Sequence, residues 1–256
     1  MGLRRTIISV ASAIAVVGVT AFLSRPMPAR SAPGDVIHDI EPARVAATGW
    51  PLAITRAGHY RLLADLVVPP GADALQVADG LTVTIDLNGF QIVGASHCTA
   101  QLPCAAAAGT SGVRVLGPNS QVTVMNGRIR GFSHAALSAT AELPMSGRFT
   151  AMDLHLENNG AGVRAATLNA TRLVASGNQR LGVYATQLTV SDSRFYDNGQ
   201  CGVSGVQGVV QRSIAVGNTG YGFCGALAVV FQSNAAWGNG QGAVLGGASV
   251  VASNTF

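Results

Sequence analysis

Arg172, Asp192 and Arg212 recur at steps of 20 along the chain, and their chemistry draws attention first. Two guanidiniums bracketing a carboxylate suit anionic sugars, because each guanidinium grips a carboxylate as a two-pronged donor. Asp192 would be the sole acid of such a site, with Arg194 and Tyr184 on neighbouring exposed positions. The competing reading is a surface ion-pair ladder, worth ~0–1 kcal/mol per pair. Glu157 and Asp197 form a second candidate pair, two steps apart. Twice the strand spacing places them about 9.6 Å apart, near the separation used by inverting glycosidases. Nothing around them raises one of the two pKa values, which a general acid requires. His38, His59, His97 and His134 are scattered and give no metal-ligand spacing, and no cofactor is implied.

These residues are placed by a repeat. Gly162-Val163, Gly182-Val183, Gly202-Val203, Gly222-Phe223 and Gly242-Ala243 recur every 20 residues. Asn158, Asn178, Asn198 and Asn218 each precede such a pair by four, and Asn239 is displaced by one. Segments between them alternate with period two and end in Asn-Gly or Gly-Asn turns, the signature of short strands. One unit cannot bury its own apolar face, so units must stack, with like residues in columns. Val163, Val183, Val203, Phe223 and Ala243 then form one inward column, and Leu168 and Leu188 belong to another. The Asn column is expected at a sharp left-handed turn, with its amides bonded from coil to coil. Six residues before it falls the outward column Met152, Arg172, Asp192, Arg212, Ser233. His155 shares a column with Ala175, Phe195, Ala215 and Ala236 and reads as a core or edge residue. Longer coils continue upstream through Val122-Thr-Val-Met-Asn-Gly127 and Val83-Thr-Ile-Asp-Leu-Asn-Gly89, with a loop from Glu142 to Ser146. The fold expected is an all-β, single-stranded parallel β-helix of about eight coils of roughly 20–26 residues, a rod about 40 Å long.

Ile54-Thr-Arg-Ala-Gly-His-Tyr-Arg-Leu-Leu-Ala-Asp-Leu66, followed by Val83-Thr-Ile-Asp-Leu-Asn-Gly-Phe-Gln-Ile92, resembles the opening of bacterial secreted right-handed parallel β-helix repeat proteins. These belong to the broad pectate-lyase-like superfamily. The resemblance runs from about residue 50 to 256 and implies right-handed coiling, in line with the handedness of parallel crossovers. Its enzymes cleave polysaccharides with clustered Asp and calcium, with Arg or Lys bases, or with Asp pairs beside His-containing motifs. This chain has no Gly-His-Gly, no Asp-Asp and no Lys.

Residues 1–32 read as a signal peptide or an N-terminal anchor: Arg4-Arg5, then an uncharged run from Ile7 to Leu23. Residues 33–73 read as an N-terminal cap and first strands, and 74–256 as the β-helix. The formal charge of +4 resides in the leader, since from Pro33 onward 12 Arg face 12 Asp and Glu. Nucleic acid is thereby dropped as a partner, and a membrane enters only through an uncleaved leader. A solenoid end needs a polar cap, and Ser253-Asn-Thr-Phe256 stops in mid-pattern, so a cap from further chain or a partner is expected. Cys98 and Cys104 bracket five residues and suit a local disulfide in an oxidising compartment. Cys201 and Cys224 differ by three positions in their coils, beyond the ~7 Å limit for bridging if the strands run straight, so two thiols are expected. The function expected is an exported β-helix at the periplasm, cell surface or outside the cell, a non-catalytic binder or display scaffold for glycans. The alternative is a polysaccharide lyase, hydrolase or epimerase acting on uronic-acid polymers.

Overall fold

The computed structural model describes residues 36–102, 104, 109–139, 147–246 and 250–255. The leader and the loop from Glu142 to Ser146 lie outside these residues. All strand pairings are parallel, each strand lying on the equivalent strand one coil away. Leu52, Leu75, Val113, Leu137, Val163, Val183, Val203, Phe223 and Val244 stack in one inward column, so there are nine coils rather than about eight. The added coil comes from the short strand Leu52–Ile54. Before it, the helix Pro42–Thr48 turns Val45 into the core.

One coil shows how the sequence makes three faces. Val163–Ala165 forms the first face, with Val163 and Ala165 inward and Arg164 outward. At Ala166 the coil-to-coil pairing skips a residue and the in–out alternation resets, so the chain turns a corner. Thr167–Thr171 forms the second face, Leu168 and Ala170 inward. Arg172 takes a left-handed φ of 52°, and Val174–Ser176 makes the third face. Gly177, at φ 59°, starts the return to the first face. The Gly step of the repeat has a steric cause: a Cβ on Gly182 would strike the carbonyl oxygen of Gly202 one coil on. Backbones approach there too closely for any side chain.

Two polar ladders run through this apolar core. The first is Asn159, Asn178, Asn198, Asn218 and Asn239, each bonded to the next. Asn158, expected in the ladder, instead precedes it by one residue at φ 54°, in the column of Gly177, Asp197, Gly217 and Gly238. The left-handed turn thus belongs to the residue before each ladder amide, while the amide itself is buried. At Asn158-Asn159 the interior selects the amide that points inward, and the step to Asn178 becomes 19. The second ladder carries Ser193, Ser213, Asn234 and Asn254, whose side-chain oxygens accept the backbone N–H of the preceding coil. Both ladders satisfy buried donors that the corners leave without strand partners.

The one-residue shift corrects several assignments. Leu156, not His155, joins Ala175, Phe195, Ala215 and Ala236; His155 is exposed and pairs in register with Arg128 and Val174. Glu157 stacks on Ser176 and Tyr196, so it does not share a column with Asp197. At the far end, Val244 rather than Ala243 follows Phe223, because the strand Tyr221–Gln232 accommodates one extra residue where the register shifts opposite Gly205–Gln207. Cys98 and Cys104 form a disulfide. Cys201 and Cys224 also form one, contrary to the expectation of two thiols. Cys201 sits in the corner before the strand Val203–Gln211 rather than in a straight strand, and the corner brings its Cα to 6.2 Å from that of Cys224.

Candidate anion-binding face

The corner between the second and third faces carries Asp153, Arg172, Asp192, Arg212 and Ser233, all with left-handed φ. Asp153 takes the place expected for Met152. Arg172 donates to both carboxylate oxygens of Asp153, at 2.5 and 2.6 Å. Arg212 does the same to Asp192, at 2.8 and 2.9 Å. These contacts hold both carboxyls below their usual range, the bonds from Arg172 and Arg212 being the main cause. Each guanidinium fork is therefore already filled by a carboxylate of the chain. Arg194 lies exposed on the third face and Tyr184 on the first, so the five residues do not converge.

A different group converges on the first face. Its outward column reads Arg114, Ser138, Arg164, Tyr184, Ser204 on consecutive coils. Arg114 is held by buried Asp73, Nε to Oδ2 at 2.9 Å. Asp73 also accepts the Ser111 N–H at 2.7 Å and a bond from Gln76 at 2.8 Å. At the adjoining corner stand His134, whose backbone N–H donates to Thr110 O at 2.9 Å, and Arg180, whose backbone N–H donates to Gly160 O at 3.0 Å. Burial, then the charges of Arg164, Arg114 and Arg180, lower the His134 pKa to about 4, with Asp73 opposing. Burial and the nearby Arg180 also lower the pKa of Arg164, with Tyr184 pulling the other way.

Among the described residues the ion pairs engage Arg61, Arg114, Arg128, Arg172 and Arg212, and neither Arg164 nor Arg180. Two half-buried guanidiniums that repel one another, with no carboxylate paired to either among the described residues, make a place where an anion is stabilised. His134 stays neutral at neutral pH, so it offers a lone pair or an N–H rather than a charge. Among the described residues no three His, Cys, Asp or Glu side chains stand together for a metal ion.

Across the corner at Ala166 and Thr186, a groove of about 510 Å³ runs along the second face. Thr167, Asn169, Gln187, Thr189 and Gln207 line it with hydroxyls and amides and no charge. Gly208, which also lines it, stands in the column of Phe149, Leu168 and Leu188 without a side chain. A Cβ there would strike the Leu188 carbonyl, and φ is 137°.

Sequence reasoning singled out Tyr184 but missed His134, Arg164 and Arg180. The twenty-residue step does place Arg164 one coil before Tyr184, and that signal was available. His134 lies in an irregular coil, where spacing alone gives no column.

Among solved structures, the A-module of a mannuronan C-5 epimerase from Azotobacter vinelandii matches over 83% of this chain and 71% of its own, at 15% identity and a TM-score of 0.50. The chain is a right-handed parallel β-helix protein. The β-helix also matches the enzymatically active domain of tailspike protein 2 of bacteriophage CBA120, over 80% of this chain and 42% of that one, at 12% identity and a TM-score of 0.40. A third match is the periplasmic alginate epimerase AlgG, over 80% and 75% of the two chains, at 9% identity and a TM-score of 0.34. At these identities the likeness is one of fold. No family model matches the β-helix, and no curated protein matches it at a significant level.

Proposed function

We propose that this β-helix binds an acidic polysaccharide along its first face, with Arg164 and Arg180 holding uronate carboxylates. The observation that carries the reading is the pair of half-buried guanidiniums without carboxylate partners among the described residues, beside neutral His134 and the Tyr184 hydroxyl. The uncharged groove across the corner offers the amides of Asn169, Gln187 and Gln207 to sugar hydroxyls over an otherwise mainly apolar floor. The Azotobacter protein is an epimerase of mannuronan, a uronate polymer, which favours this ligand class. Two disulfides favour an oxidising compartment, so we place the protein at the periplasm, the cell surface or outside the cell. Affinity electrophoresis through gels containing polymannuronate, polygalacturonate or neutral dextran tests the proposal. Uronate gels should retard the wild type, and an Arg164→Ala, Arg180→Ala variant should bind at least about tenfold more weakly. Equal retardation of variant and wild type refutes it.

His134 favours a second reading. An imidazole with a pKa of about 4 is a free base at neutral pH, as abstraction of a C5 proton requires. A carboxylate gripped by Arg164 would stabilise the resulting carbanion. Elimination would place those electrons in a C4–C5 double bond, expel the C4 glycosidic oxygen and protonate it from Tyr184. Epimerisation would instead return a proton to the opposite face of C5. Unsaturated product, or deuterium incorporated at C5 from heavy water, should then appear and vanish in His134→Gln. Absence of both in the wild type leaves binding alone.

A further inference from the structure

The third face changes character along the rod. Its first coils present Val67, Gln91 and Val93 outward, and its middle coils Arg128, Arg130, His155 and Glu157, with Arg128 and Glu157 paired at 3.2 Å. From the coil of Ser176 onward the same column reads Ser176, Tyr196, Val216, Trp237. The neighbouring outward column becomes Val174, Arg194, Ile214, Ala235. Tyr196 is 40% exposed and Trp237 is 55% exposed. Large aromatic rings ordinarily seek burial, and these two stand in one column, separated by the small Val216.

We infer that this face is a second glycan site, in which Tyr196 and Trp237 are stacking platforms for a flat, β-1,4-linked neutral polysaccharide strand lying along the rod. Three observations lead there. The backbone positions of Tyr196 and Trp237 are two coils apart, about 9.6 Å at the spacing of paired strands, which is roughly the length of one disaccharide repeat in an extended equatorially linked chain. Such a chain turns its axial C–H bonds, partly positive, toward every second ring-sized step, and an aromatic face is negative. The strands Arg194–Tyr196 and Ala235–Trp237 are each paired to neighbouring coils and sit over Phe195 and Ala236 in the core, so the spacing is fixed before binding. The rim is polar, with exposed Arg194, Asp197 and Thr219 available to sugar hydroxyls. This patch is on a different face from Arg164 and Arg180 and needs no charge on the ligand, so it stands independently of the acidic-polysaccharide reading.

Affinity electrophoresis with soluble β-1,4-glucan and β-1,4-mannan tests the site in the full chain. The wild type should be retarded, Trp237→Ala should bind at least about tenfold more weakly, and Tyr196→Ala should show a smaller loss. The Arg164→Ala, Arg180→Ala variant should keep full affinity for these neutral chains, which separates the two sites. The chain has 2 tryptophans, so in Trp50→Phe the β-1,4-linked hexasaccharides should shift the emission of Trp237 alone. Wild-type protein that is neither retarded nor shifted by these glycans overturns the inference, as does full affinity in Trp237→Ala. A concentration-dependent dimer in sedimentation that Trp237→Ala abolishes also overturns it, assigning the patch to contact between copies.

Discussion

The Oδ1 atom of Asn198 accepts two bonds from Asn178, one from its side-chain amide at 2.9 Å and one from its backbone N–H at 3.2 Å. The Asn198 amide in turn donates to Ala175 O at 3.0 Å and to Asn218 at 2.9 Å. One side chain therefore ties together coils on both sides of it, in a place that water does not reach.

Asn198→Ala should accordingly cost about 3 kcal/mol, since it strands several buried donors and acceptors at once. Asn158→Ala should cost nearer 1 kcal/mol, the penalty of an ordinary residue in the left-handed region. Urea unfolding of the two variants checks the contrast. Equal losses would mean that the ladder phase is wrong.

The corner ion pairs should behave differently. Arg212→Ala should change stability by no more than about 1 kcal/mol, because both partners are half exposed. The Asp153 and Asp192 pKa values are lowered, so their contribution is complete above the ordinary carboxylate range. It is lost as pH falls through the folded-state values. A double-mutant cycle on Asp192 and Arg212 should give coupling at pH 7 that shrinks in acid and in salt.

His134 should titrate near pH 4 in the folded protein. Because this lies below the ordinary value of 6.5, the unfolded chain takes up the proton first as pH falls. The stabilising contribution is thus full above pH 6.5 and disappears between 6.5 and about 4. Imidazole proton shifts followed by NMR measure this directly. Arg164→Ala should raise the midpoint by removing the larger of the charges that oppose protonation.

Free-thiol titration of the unreduced, unfolded chain should find none, and peptide mapping should pair Cys201 with Cys224. Replacing both by Ser should lower stability by about 3 kcal/mol on the loop-entropy account, against about 2 kcal/mol for the shorter loop of Cys98 and Cys104.

The coil architecture was legible because its cause is periodic: Gly182 excludes a Cβ, Val183 fills the core, and both recur at the same step. The phase of individual coils was not, because counting in twenties cannot distinguish Asn158 from Asn159. Only the direction of the amide does that, and a single residue moved Asp153, His155 and Glu157 to new neighbours. The corner that brings Cys201 over Cys224 was hidden for a related reason, since straight strands were assumed where the backbone bends. The first-face cluster drew its members from four coils, one of them irregular, so no single spacing revealed it.

From Asp153 onward the left-handed corner between the second and third faces is filled by Asp153, Arg172, Asp192, Arg212, Ser233 and Ser253, none of them Gly or Asn, whereas the coil before holds Asn126 there. Each such residue carries roughly 1 kcal/mol of backbone strain, and a solenoid repeats the strain once per coil. Thermal endurance of this rod is therefore adjustable by counting: Asn at Ser233, which has no ion pair to lose, should raise the melting temperature. Ser253, in the same corner one coil on, should add an increment of similar size. The corner is a dial with one notch per coil, and it turns without altering Arg164, Arg180, Tyr196 or Trp237.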